Sequence, residues 1–212
     1  MEDFEKDYFD MAYGGEYERR NPYGKIVFYL REIRKMKPSG SLLDIGCAYG
    51  LFLAHARKYY HTTGCDISAH AIAEARRRLP DEDIFQADIE TLSIDKTFDV
   101  ITCFDILEHV EKLDKAFEKT RMLLKDGGIL VLTVPVYDTF VGWIVGVLDR
   151  DETHIWKQSR NFWLEKLHTH GFKLIENIGL WRYYLVNRFY LFFGGKIWKN
   201  FSPALMLIGQ KR

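Results

Sequence analysis

Between Ser41 and Val134 the chain alternates short apolar runs with longer stretches of helical period, and this restricts its fold more than any other feature. Ser41 to Ile45, Thr62 to Cys65, Ile84 to Ala87, Phe98 to Phe104 and Gly128 to Val134 read as strands. Leu51 to Tyr60, Ala69 to Leu79 and Leu113 to Leu124 read as the helices between them. Apolar runs without polar alternation need cover on both faces, which means a parallel sheet with helices on each side. A further helix is expected over Pro22 to Met36, where Ile26, Tyr29 or Leu30, and Ile33 recur at helical spacing and Pro22 suits the first turn. Beyond Pro135, a helix at Phe162 to His170 precedes strands at Phe172 to Ile178 and Leu205 to Gly209. The expectation is a doubly wound α/β fold with seven strands.

The 212 residues suffice for one domain with a full core and no disulfide or structural metal. A single domain over 1–212 is expected, with 1–21 as a lead-in or lid. The stretches 136–156 and 181–202 break the alternation and read as insertions beside the site. Lysine plus arginine and aspartate plus glutamate are both 30, so nothing in the charge balance calls for nucleic acid. Cys47, Cys65 and Cys103 are odd in number and lack C-x-x-C spacing, against a disulfide framework or a zinc site. No metal is expected. The acidic, aromatic N-terminal segment lacks the pattern of a signal peptide. The longest apolar stretch, near Thr139 to Leu148, is about ten residues, against roughly 20 for a membrane span. A cytoplasmic location is expected.

The segment Asp44-Ile-Gly-Cys-Ala-Tyr-Gly50 ends a strand and opens a helix, where open α/β sheets bind ligands. Gly46 and Gly50 let the backbone approach a ligand, and Ala48 is small enough to preserve that closeness. A glycine turn alone is equally a plain β-to-α connection. Asp66 stands 20 residues after Gly46, at the end of the second strand, where a carboxylate can accept both hydroxyls of a ribose. Asp88 follows the third strand, where it could accept from an adenine amino group, and Ile67 and Ile89 could sandwich the ring. Each aspartate could instead serve as a cap or turn residue, with Ser68 the better cap after Asp66.

These residues resemble the class I methyltransferase family, in particular the branch that includes the ubiquinone-biosynthesis O-methyltransferase. The motifs are Leu43-Asp-Ile-Gly-Cys-Ala-Tyr-Gly50, Gly64-Cys-Asp66, Gln86-Ala-Asp88, Phe98-Asp-Val-Ile-Thr-Cys-Phe-Asp-Ile-Leu-Glu-His-Val110 and Lys125-Asp-Gly-Gly-Ile-Leu130. Ala48 departs from the family, which usually has glycine there. The resemblance implies a Rossmann-like sheet, mostly parallel with the last strand antiparallel, and S-adenosylmethionine as cofactor with S-adenosylhomocysteine as product. It further implies that Asp44 and the backbone of Gly46, with Cys47, Ala48 and Gly50 in the same turn, hold the methionine end. Asp66 would take the ribose, Asp88 and Ile89 the adenine, with Ile67 on the other side of the ring, and the carbonyl of Phe104 the cofactor amino group. Leu107 to His109 would floor the site beside the sulfonium.

A nicotinamide-dependent oxidoreductase would also use a glycine turn and an acid some 20 residues on. It would want a third glycine where Leu51 stands and a helix N-terminus open to pyrophosphate, and Asp44 and Asp105 would repel that group. A nucleoside-binding protein without transfer activity is the other alternative. It would be expected to have lost Asp66 or the glycines.

Methyl transfer from a sulfonium needs chiefly alignment and exclusion of water, with a base if the acceptor is a hydroxyl or amine. His109 and His154 are candidates, although lone histidines more often serve as structural hydrogen-bond partners. Arg20, or equally Arg19 or Lys25, could pair with the cofactor carboxylate from the aromatic lead-in. From Trp181 to Arg212 the chain carries Arg182, Arg188, Lys196, Lys199, Lys211 and Arg212 among many aromatics and no acid. That mixture suggests peripheral membrane contact through 181–202, or a hairpin arm packing on the core or on a second copy as a homodimer. With Phe140, Trp143 and Ile144 it could wall a pocket for a small-molecule acceptor, lipid-like or aromatic.

Overall fold

The computed structural model describes residues 17–148, 153–185 and 189–212. After a helical turn at Tyr17–Arg20, helix α1 (Tyr23–Met36) leads into strand β1 (Gly40–Ile45). The alternation then runs α2 (Leu51–Ala56), β2 (Tyr60–Asp66), α3 (Ala69–Arg78), β3 (Asp83–Gln86) and β4 (Phe98–Phe104). A 3-10 turn at Leu107–His109 precedes α4 (Leu113–Leu123) and β5 (Leu124–Pro135). Then come α5 (Phe140–Leu148), α6 (Arg160–Thr169), β6 (Phe172–Leu185), β7 (Phe189–Gly195) and β8 (Ala204–Lys211).

The strands form one sheet in the order β3-β2-β1-β4-β5-β8-β6-β7. Strands β1 to β5 pair in parallel, while β8 runs antiparallel to both β5 and β6, and β7 antiparallel to β6. Side chains alternate between two buried layers. Leu42, Ile129, Val131, Met206 and Ile208 face α1, α2 and α3. Leu43, Leu130, Leu132, Leu205 and Leu207 face α4 and α6, around Phe117 and Trp163. Both layers are apolar, so the strands read as continuous apolar runs. Ser68 caps α3 by accepting from Ala71 N at 3.1 Å, and Ser159 caps α6 by accepting from Phe162 N at 3.2 Å. Each such cap stabilises a helix by about 1 kcal/mol.

The sheet has eight strands, not seven. Strand β6 continues past Ile178 to Leu185, and the stretch 181–202 completes it, adds β7 as an edge strand and ends in a 3-10 turn at Lys196–Trp198. Gly179 permits this: a β-carbon there would lie 2.3 Å from the Trp198 carbonyl carbon, so the turn packs directly on the strand. The stretch 136–156 holds α5. The aromatic lead-in before Tyr17, the side chain of Arg20, Asp151 and Glu152 lie outside the described residues. No helix among the described residues is long and apolar enough to cross a membrane.

Candidate active site

Sheet order reverses between β1 and β4, and a cavity of about 840 Å³ opens beyond the carboxyl ends of β1, β2 and β4. The glycine turn forms one wall. Gly46 N and Cys47 N both donate to the Cys65 carbonyl, at 2.8 and 3.0 Å, which ties the turn to β2. Gly46 sits at φ 76°, and a β-carbon there would fall 2.0 Å from Ile106 Cδ1. Asp66 is buried, with Oδ2 accepting from Ala48 N at 2.9 Å and Oδ1 from Ser68 N at 3.0 Å. It thus braces the turn and still faces the cavity, and a carboxylate oxygen accepts more than one hydrogen bond. Asp88 Oδ1 accepts from Glu90 N at 2.8 Å, and Asp88, Ile67 and Ile89 all line the cavity.

Asp44 lies at the base of the cavity, accepting from Thr102 Oγ1 at 2.6 Å. Burial pushes its carboxyl up to about 7, with the Thr102 bond opposing and the nearby Asp66 charge adding to the rise. Phe104 also lines the cavity, its ring 4.7 Å from Tyr29 and 4.9 Å from Phe52.

The opposite wall is charged. Asp105, at φ 58°, accepts from Thr133 Oγ1 at 2.7 Å, pairs with Arg182 of β6 and has Lys25 Nζ of α1 at 4.0 Å. Burial alone would push its carboxyl up; the Arg182 and Lys25 charges and the bonds from Arg182 and Thr133 outweigh that and hold it at about 2. Among the described residues the non-glycines at positive φ are Ala48 and Asp105, and both line this cavity. Backbone strain of this kind collects where a site demands a particular geometry.

His109 stands at the rim. Its Nδ1 donates to the Thr153 carbonyl at 3.1 Å, with the Thr153 hydroxyl at 2.8 Å. With its hydrogen on Nδ1, the ring donates to Thr153 and presents Nε2 as the acceptor; the Thr153 hydroxyl, at 2.8 Å, can also donate to Nδ1 in the other tautomer. The ring of His154 lies 4.6 Å from that of His109, while His154 is not among the residues lining the cavity. Glu108, His109 and His154 each bring one ligand-type atom within 4.8 Å of the others, a donor set that could accept a cation.

A family model for a methyltransferase domain matches residues 17–177. The chain belongs to the class I S-adenosylmethionine-dependent methyltransferase family. It is 34% identical over 106 residues to a dTDP-3-amino-3,6-dideoxy-alpha-D-glucopyranose N,N-dimethyltransferase of Streptomyces fradiae, covering 47% of this chain and 42% of that one. It is 27% identical over 129 residues to the ubiquinone biosynthesis O-methyltransferase of Rickettsia typhi, covering 58% and 50%. The chain therefore spans about half the length of these curated relatives. The solved structure of an S-adenosylmethionine-dependent methyltransferase from Thermotoga maritima superposes over 97% of this chain and 98% of its own, with TM-score 0.73 and 16% identity. That likeness is one of fold. The family membership removes the nicotinamide-dependent alternative.

Most of the residues named from the sequence of this family member meet around the cavity: Asp44, Gly46, Cys47, Ala48, Asp66, Ile67, Asp88, Ile89, Phe104 and His109. Gly50 does not line it. At φ 73° it opens α2 and packs against Leu79 and Ala75 of the neighbouring helix. Leu107 points into the core beside Phe117, almost fully buried, and so is no floor to the site. Phe140 and Trp143 are 76% and 61% exposed and do not wall the cavity. The expected repulsion of pyrophosphate by Asp105 is also weakened, because Arg182 and Lys25 balance its charge. Arg182 and Tyr190 belong to the wall, having been expected only as part of a stretch that could wall an acceptor pocket, and Tyr29 joins them without having been named as ligand-facing. The signal for Arg182 was an arginine amid Trp181, Tyr183 and Tyr184 without a nearby acid.

Proposed function

We propose that this chain transfers a methyl group from S-adenosylmethionine to a small-molecule acceptor. The observation that carries this is the cavity at the strand-order reversal, with acceptor groups on one wall and cations on the other. The donor set fits: Asp66 and Asp88 can accept from ribose hydroxyls and an adenine amino group, and Asp44 and Gly46 reach the methionine end. When bound, S-adenosylmethionine supplies an electrophilic methyl carbon on a sulfonium. The protein aligns the acceptor, excludes water and, through His109, takes a proton. With its Nδ1 fixed by Thr153, His109 would accept that proton at Nε2. His154, its ring tilted against that of His109, would steady the ring or the acceptor.

The family relatives named above act on a sugar nucleotide and, by name, in ubiquinone synthesis, which favours a small molecule here. An apolar or lipid-like acceptor agrees with the exposed apolar surface at the turn after β7, where Ile197 and Phe201 are 77% and 64% exposed. That surface would serve as a peripheral contact with a membrane. The three cysteines are buried and free, and burial pushes each thiol up, as suits a reducing, cytoplasmic setting.

Calorimetric titration with S-adenosylhomocysteine tests the cofactor; absence of binding sinks the proposal. Labelled cofactor offered to extracts fractionated into lipids, small metabolites, protein and RNA tests the acceptor, and label confined to protein or RNA refutes the small-molecule reading. With an acceptor in hand, His109→Ala should lower kcat about 100-fold while leaving cofactor affinity intact. Activity that survives a chelator keeps His109 as a base; activity lost to it assigns the Glu108, His109 and His154 group to a cation instead. Sedimentation with anionic and neutral vesicles, beside size-exclusion, separates membrane contact from self-association of the same surface.

A further inference from the structure

We infer that Arg182 recognises the carboxylate at the amino-acid end of the S-adenosyl ligand, with Asp105 as its positioning partner; the inference rests on the cofactor proposal above. Arg182 enters the cavity because β6 continues beyond Leu180, the last residue that pairs with β8, and pairs with β7 instead. Its cross-strand neighbour Phe192 packs edge-on against Phe28 at 5.4 Å and Tyr29 at 5.8 Å, so the hairpin is seated on α1. The guanidinium is aimed by Asp105, whose other oxygen is held by Thr133 at 2.7 Å. A guanidinium carries five N–H donors in a rigid fork, more than the single Asp105 oxygen it meets can use.

Charge and position point the same way. Among the described residues, Lys25 and Arg182 surround one carboxylate, Asp105, which leaves one positive charge in excess on this largely buried wall. A buried excess charge is costly unless an anion completes it. Asp88 follows β3 and Asp105 follows β4, three strands away in the order β3-β2-β1-β4. At about 4.8 Å per strand that is roughly 14 Å. A ligand whose adenine lies near Asp88 and which extends across the strand ends brings its far terminus to Arg182. In an S-adenosyl ligand that terminus holds the one carboxylate.

The test compares S-adenosylhomocysteine with its decarboxylated analogue, which keeps the amine and thioether and lacks only the carboxylate. Calorimetry on the full chain should show the wild type preferring S-adenosylhomocysteine by roughly 10- to 100-fold. Arg182→Met should bring S-adenosylhomocysteine down to the analogue's affinity while the analogue changes by no more than about twofold. Pairing it with Asp105→Asn removes repulsion by the aspartate that has lost its Arg182 partner and should still abolish the preference. Arg182→Lys keeps the charge, guards against a folding defect and should retain part of the preference. Equal losses for both ligands would assign Arg182 to holding the hairpin only, and an unchanged preference would place the carboxylate elsewhere; either overturns the inference. A wild type that binds neither ligand would remove the cofactor proposal itself.

Discussion

The two walls of the cavity are built on different principles. The nucleoside wall comes from neighbouring strand ends and the turn between β1 and α2, and it works through backbone geometry and short carboxylates. Its parts hold one another: Asp66 binds Ala48 N and Ser68 N, and Gly46 and Cys47 bind the Cys65 carbonyl. The facing wall is assembled from Lys25, Asp105 and Arg182, carried on α1, the end of β4 and the far part of β6. It works through paired charge, and it exists only once the sheet has been completed through β8 to β6. On the proposed assignment, a local wall of the first kind would bind a nucleoside moiety by itself, whereas the second would add selectivity for the remainder of the ligand.

The largest expected effect falls on the nucleoside wall. Asp66→Ala removes the acceptor for both ribose hydroxyls and should lower affinity for S-adenosylhomocysteine about 100-fold or more, since hydrogen bonds to a charged group are worth about 1.5–3 kcal/mol each. Adenosine alone should lose as much, because the loss lies in the shared moiety. If adenosine binding is unaltered, the ribose does not lie at Asp66 and the division into two walls fails.

The charged wall should respond in stability. Truncating one partner of a fully buried ion pair costs about 3–5 kcal/mol. Here the side chains are 29% exposed for Asp105 and 16% for Arg182, so Asp105→Asn should cost about 2 kcal/mol at neutral pH. Because the Asp105 carboxyl is held at about 2, below its unfolded value near 4, the contribution is present above pH about 4 and lost as pH falls towards 2. Urea denaturation of wild type and variant should therefore converge in acid. Curves as far apart at pH 2 as at pH 7 would show that the pair is not what the substitution removed.

The same contrast explains what could be read from the sequence. Each part of the nucleoside wall leaves a local mark: an apolar run, two glycines, an acid at the following strand end, a serine cap at Ser68. Phe98–Phe104 was legible to the residue because both its faces are buried. The charged wall leaves only a faint mark, an arginine among aromatics with no acid nearby in sequence. Arg182 lies 77 residues from Asp105, and their meeting depends on where β8 inserts. The β6–β7 hairpin was obscured because, Arg182 aside, Trp181 to Leu185 and Phe189 to Phe193 are apolar or aromatic with little alternation, and no Asn-Gly turn announces it. Helix α5, with nine residues lacking any charge, offers no polar face to mark its period.

Asp44 stands between the walls and should reveal itself through pH. Its carboxyl is raised to about 7, so near neutrality it is partly protonated in the ligand-free protein. An ammonium group at the methionine end favours the ionised form. Binding of S-adenosylhomocysteine should then strengthen as pH rises, by about tenfold between pH 6 and pH 8, as the ionised fraction grows. Asp44→Asn should flatten that slope and leave adenosine binding pH-independent. A slope that persists in Asp44→Asn would assign the titration to another group, His109 first.

The smallest effect concerns Ala48, the one place where the turn departs from glycine. Ala48 sits at φ 45°, in the left-handed region that costs an L-residue about 1–2 kcal/mol. Glycine would relieve this strain but would also loosen the unfolded chain, which costs about 0.4–1 kcal/mol. Ala48→Gly should therefore stabilise the protein by about 0.5–1 kcal/mol. Ala48 N would still donate to Asp66, so affinity for S-adenosylhomocysteine should hold or rise slightly. Denaturant melts and calorimetry on the same variant decide it. Loss of stability would mean that the alanine methyl contributes packing at the turn that outweighs its strain, and the nucleoside wall would then depend on side chains as well as backbone.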